Sequence, residues 1–127
     1  MTQKQQIYKC GICGNIVEVL HSGAGELVCC GKSMQLLAEN MVDAATEKHV
    51  PVIIKTDKGI KIQVGQVVHP MDEKHFIEWI EIITENNENF KKFLEPGKRP
   101  EAEFCTDEKI LQVRAFCNLH GLWKAKD

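Results

Sequence analysis

Ile110-Leu111-Gln112-Val113-Arg114-Ala115-Phe116, running into Cys117-Asn118-Leu119-His120 and Gly121-Leu122-Trp123, is the stretch on which the fold turns. Its first seven residues alternate as a β-strand does. The next four break that strand into a turn and set a thiol and an imidazole three residues apart. Both can reach one metal ion from there. The expectation is that the larger part of the chain folds to bring distant histidines to this pair.

Working upstream, the chain from residue 50 keeps a β pattern. Val50–Lys55 reads as a strand, Asp57-Lys58-Gly59 as a turn, and Ile60–Val64 as a strand with Ile60, Ile62 and Val64 inward. Gln66-Val67-Val68 is expected to continue it to His69-Pro70. Phe76–Thr84 is a long strand in which Glu78 and Glu81 fall out of step, the mark of a bulge or of exposure at one end. Phe90–Leu94 and Ala102–Cys105 complete the set. Short strands at regular intervals indicate an antiparallel sandwich or barrel.

His49, His69, His75 and His120 all stand at element ends of this β region, where a sandwich gathers its loops. A lone histidine at a strand end is usually a surface or hydrogen-bonded residue. The C-x-x-H turn adds a thiolate to the same region and strengthens the case for one shared site. On spacing alone both readings stand. His21 is expected to be exposed, and Cys105 a small buried thiol.

Residues 1–40 form a distinct unit, with Cys10-Gly11-Ile12-Cys13-Gly14 followed by Cys29-Cys30-Gly31. Strands are expected at Asn15–Leu20, Leu27-Val28 and Met34–Ala38. A C-x-x-C turn directs two sulfurs at one ion, and a module this small needs a staple. Adjacent residues in extended chain point apart, so Cys29 and Cys30 can share an ion only if the backbone bends, with a distorted tetrahedron as the consequence. Four thiolates leave zinc and iron equally open. A linker is placed near Glu39–Asp43, and Ala44–Lys48 has helix-forming content ended by Pro51.

The totals narrow the class. A net charge of −2 provides no basic field for nucleic acid. No apolar run is long enough for a membrane helix, and residues 1–6 do not form a secretory signal. A cytoplasmic protein is expected, and in a reducing compartment the six cysteines are read as ligands or free thiols rather than disulfides.

Thr46-Glu47-Lys48-His49-Val50-Pro51, His69-Pro70-Met71, Glu73–Ile80 and Cys117–Gly121 together resemble the desulfoferrodoxins, two-iron superoxide reductases. Tyr8–Gly14 with Leu27–Gly31 is similar to their desulforedoxin-like N-terminal domain. The resemblance covers essentially the whole chain, with the motifs in the family's order.

It implies a desulforedoxin-like module at 1–38 and an immunoglobulin-like antiparallel sandwich at 39–127. It implies that Cys10, Cys13, Cys29 and Cys30 hold an Fe(Cys)4 centre, which tips the zinc-or-iron question to iron. His49, His69, His75 and His120 would be four equatorial ligands of a second iron, and Cys117 its axial thiolate. Lys48 and Glu47 would flank the open position on a mobile loop. The implied reaction reduces superoxide to hydrogen peroxide, with electrons from a rubredoxin-type donor, in a homodimer. The rivals are a rubredoxin-like electron carrier and a non-catalytic metal-binding or storage protein.

Overall fold

The computed structural model describes residues 1–41 and 48–125. The expected helical turn at Ala44–Lys48 and the catalytic candidate Glu47 therefore lie wholly or largely outside the described residues. No helix occurs among the described residues; the chain is built of strands in two compact units, Met1–Ala38 and Glu39–Asp127.

In the first unit, β1 (Ile7–Lys9) is the middle strand of three, between β2 (Ile16–Glu18) and β5 (Gln35–Leu36). A hairpin of β3 (Val28–Cys29) and β4 (Lys32–Ser33) carries the second cysteine pair. Its buried apolar residues are Ile7, Cys10 and Val19. So few cannot offset the entropy of ordering the chain, which is the physical reason for a staple here.

The second unit is a two-sheet sandwich, the immunoglobulin-like arrangement. Its strands in chain order are β6 (Glu39–Asn40), β7 (Pro51–Thr56), β8 (Gly59–Val64), β9 (Ile77–Thr84), β10 (Asn89–Phe93), β11 (Glu101–Phe104), β12 (Ile110–Cys117) and β13 (Gly121–Lys124). One sheet has the order β10-β9-β12-β13-β6 and the other β11-β8-β7. Every pairing is antiparallel except β13 with β6, which run parallel. The core lies between the sheets: Ile60, Ile62, Val64, Ala102 and Phe104 meet Ile77, Ile80, Ile82, Val113, Ala115 and Cys117. The tight β7–β8 turn requires Gly59, at φ +150°, because a Cβ there would collide with the Phe104 carbonyl on β11.

Four expectations need correction. Glu39 and Asn40 are not linker. They form β6, and Asn40 Nδ2 donates to the Leu122 carbonyl at 3.1 Å. The strand ending at Val64 does not continue through Gln66–Val68; these residues turn, which leaves Val67 and Val68 exposed. Cys105 is exposed, because it stands just past the end of β11.

The fourth concerns β9, where the expected bulge is present at Glu78 but the reading of Glu81 fails. Cys117 pairs with Ile77 and Phe116 with Trp79, so Glu78 is the extra residue of a bulge. The bulge resets the alternation, and Ile77 joins Ile80 and Ile82 on the core face. Glu81 is neither bulged nor exposed. It is fully buried opposite Arg114, whose Nε donates to Glu81 Oε1 at 2.5 Å, while Lys91 reaches Glu81 Oε2 from the neighbouring strand.

Candidate metal centres

The register explains why four histidines and a cysteine meet. Pro51 pairs with Val64, so the start of β7 and the end of β8 lie at one end of the sandwich. Ile77 pairs with Cys117, which places the start of β9 and the end of β12 at matching positions. His49 precedes β7, His69 follows β8, His75 precedes β9, and His120 lies in the β12–β13 turn. The structure brings His49, His69, His75, His120 and Cys117 together, with one donor atom from each lying within 4.8 Å of all the others.

The rings are arranged as a square. Neighbouring centroids are 4.8 Å apart for His49–His69, 4.7 Å for His69–His75, 5.0 Å for His75–His120 and 4.8 Å for His120–His49. His49 and His75, across the square, are 6.5 Å apart, the longer distance a diagonal requires. Each neighbouring pair meets edge to face at 67° to 81°. Cys117 is buried and belongs to the hydrophobic core, whereas His120 is exposed. The thiol therefore approaches the histidines from the core.

The ring nitrogens can be assigned from their partners. His69 Nδ1 lies 2.7 Å from the Pro70 carbonyl and must carry the proton there. Its Nε2 is buried, has no hydrogen-bond partner, and presents a lone pair to the cluster. His75 Nε2 is likewise buried without a partner. His49 Nε2 and His120 Nδ1 face each other at 3.1 Å, and His120 Nδ1 is 3.8 Å from Cys117 Sγ. His120 therefore turns its Nδ1 toward the cluster, whereas His49 turns its Nε2.

Electrostatics favours a bound cation. Burial holds the His69 imidazole down to about 4, against the raising effect of its hydrogen bond to the Pro70 carbonyl, so it is neutral and able to ligate. Burial also lowers His75, and the charges of His120 and Lys48 act in the same direction against Asp72. The Lys48 charge is thus felt at His75. Burial raises the Cys117 thiol, opposed by the N–H groups of Leu119 and His120, so a metal must displace its proton. Orphaned imidazole nitrogens around a buried thiol fit a transition metal.

The second cluster is Cys10, Cys13, Cys29 and Cys30, whose sulfurs also lie within 4.8 Å of one another. The required bend between the adjacent cysteines is present: Cys30 has φ +54° and Gly31 φ +74°. It brings Cys29 Sγ to 4.0 Å from Cys30 Sγ and 3.6 Å from Cys13 Sγ. The N–H groups of Cys13 and Ile12 lower Cys10 to about 6, whereas hydrogen bonding with Cys13 and Cys29 pushes Cys30 up to about 12. Four sulfurs this close cannot all ionise without a cation among them.

Two participants were not evident from sequence. Trp123 stacks on His49 at 4.6 Å, and its Nε1 donates to the His120 carbonyl at 3.0 Å. Asn118 bonds to the backbone on both sides of His75. An aromatic residue on the last strand and an asparagine inside C-x-x-H were the only signals, and neither is diagnostic.

Comparison with known proteins follows the same division. Residues 2–37 match the family model "Desulfoferrodoxin, N-terminal domain", and residues 41–126 match "Desulfoferrodoxin". A desulfoferrodoxin of Syntrophotalea carbinolica is 61% identical over 99% of both chains, and one from Nitratidesulfovibrio vulgaris is 57% identical over the same shares. The crystal structure of the superoxide reductase from Treponema pallidum superposes with a TM-score of 0.79 at 27% identity, covering 95% of this chain and 97% of that one. Both donor sets of the two iron centres are present in their places, and with matches spanning both units the chain belongs to the desulfoferrodoxin family.

Proposed function

We propose that the chain is a superoxide reductase, catalysing O2•− + e− + 2H+ → H2O2 at the His49, His69, His75, His120 and Cys117 centre. One observation carries the reading: a square of four imidazoles over a buried thiol, with a lysine charge acting on it. When bound there, ferrous iron supplies the electron and an open position for a small anion. The neutral imidazoles add no negative charge, so the site stays attractive to superoxide. Cys117 would hold the metal through its thiolate and donate electron density to it, as a cysteine does in thiolate-ligated haem. Its burial keeps water from the sulfur.

Lys48 has two roles. Its charge steers superoxide toward the square, an effect that salt weakens. Its ammonium also holds the water that delivers a proton. Glu47, next to Lys48 in sequence, would offer a carboxylate to the oxidised metal and would not be needed for reduction of superoxide. Glu47→Ala is therefore expected to leave superoxide reduction nearly intact. The four-cysteine unit is the electron entry point, served by a rubredoxin-type donor. A homodimer in the cytoplasm completes the proposal. Among the described residues, no helix is long and apolar enough to cross a membrane.

Metal analysis with an absorption spectrum tests the reading. Two irons per chain and a thiolate-to-ferric band in the red, added to Fe–S(Cys)4 bands, are expected. A colourless zinc protein, or Fe–S(Cys)4 bands alone, contradicts it.

A further inference from the structure

Asn118 stands between the two donors of the final turn, and its side-chain amide goes entirely to backbone. Oδ1 accepts from the Phe76 N–H at 2.9 Å, and Nδ2 donates to the Lys74 carbonyl at 3.0 Å. Its own N–H donates to the Phe76 carbonyl at 3.2 Å. These bonds fall on the residues either side of His75. His75 is held from the other direction, by a reciprocal pair of backbone bonds with Asp72, both 3.0 Å.

This is the alternation of a strand inside a sheet, whose residues bond to left and right neighbours in turn. The β9–β12 ladder ends at the Ile77–Cys117 pair. The next rung would exchange two backbone bonds between Phe76 and Asn118. Only one is backbone to backbone; in the other, Asn118 Oδ1 takes the place of the main-chain carbonyl. The main chain is thereby released to turn, which lets His120 fold back beside Cys117.

The ring of His69 is steered by a carbonyl. The ring of His75 has no such hydrogen bond among the described residues, so its aim is inherited from its backbone. We infer that Asn118 is a positioning residue that fixes His75 against the Cys117–His120 turn, so one side chain sets three of the five donors relative to one another. This rests on the proposal that the five donors hold iron. Groups that orient metal ligands without touching the metal typically alter affinity about 10–100-fold.

The test is iron release from the full-length, two-iron protein to a ferrous chelator, for the parent, Asn118→Ala and Asn118→Asp. The aspartate keeps the bond from Phe76 N–H and loses the donor to Lys74. Release from the His/Cys centre should accelerate about 10–100-fold in Asn118→Ala and less in Asn118→Asp. The red thiolate-to-ferric band should move, while the Fe–S(Cys)4 bands, an internal reference, stay unchanged. Should Asn118→Ala not fold, Asn118→Asp carries the test. Unchanged release and an unchanged red band overturn the inference, including where only the thermal midpoint of the metal-free protein falls. A parent chain that takes up no second iron overturns the functional reading and this inference with it.

Discussion

The chemistry of the second centre is decided by where single atoms can go. His69 is neutral because it is buried, and its free nitrogen is set by the Pro70 carbonyl. Lys48 is half-buried beside His49, and its charge acts on His75. Lys48→Ile should therefore slow superoxide reduction, by about tenfold or more at low ionic strength, with the gap narrowing as salt rises. Pulse radiolysis across a salt series measures this, and an unchanged second-order rate at low salt removes the steering role. At this scale the sequence was informative where donors cluster locally: C-x-x-C and C-x-x-H announce themselves. It was silent on Asn118 and Trp123, because their partners are main-chain atoms and rings brought near only by the completed fold.

Among the elements, the β9–β12 pair positions most of the site and carries most of the core. Ile80 and Ile82 are fully buried between the sheets. Ile80→Ala should cost about 2–5 kcal/mol in denaturant unfolding of the sandwich. On the opposite face of the same strands, Glu81 lies between Arg114 and Lys91, and Arg114 also reaches Glu39 of β6 at 3.1 Å. Burial alone would raise the Glu81 carboxyl, but the hydrogen bond and charge of Arg114, then those of Lys91, hold it below its usual range. Its contribution is complete above the unfolded pKa of about 4.3 and is lost as pH falls through the lower folded value. Glu81→Gln should flatten that acid limb of the stability profile. It should also cost about 3–5 kcal/mol at neutral pH, because Arg114 is left buried without its main partner. Unfolding curves between pH 7 and pH 2 measure both. Alternation revealed β8, β9 and β12, whereas two-residue strands such as β6 lack a period to detect. A charge inside a strand reads as exposure unless its partner, 33 residues away, is known.

Across the whole chain, the two units depend on metal differently. The sandwich has a continuous core, whereas the first unit buries few apolar side chains. Cys13→Ser should abolish the Fe–S(Cys)4 bands and loosen the first unit, while superoxide reduction at the second centre persists. A spectrum and an activity assay on one preparation check this. A separate first unit was expected because all four cysteines of C-x-x-C and Cys29-Cys30 fall within residues 1–40, whereas the sustained β alternation starts near residue 50. The convergence of His49, His69 and His75 was left open by spacing and implied by the family resemblance; the strand register supplies its physical cause. The proposed reaction is turnover of superoxide to peroxide at the square of histidines. Mixing the reduced protein rapidly with superoxide, while following O2 and H2O2, tests it most directly. Superoxide should be consumed with peroxide formed and no O2 released; release of O2, or no consumption by protein carrying both irons, would overturn the proposed reaction.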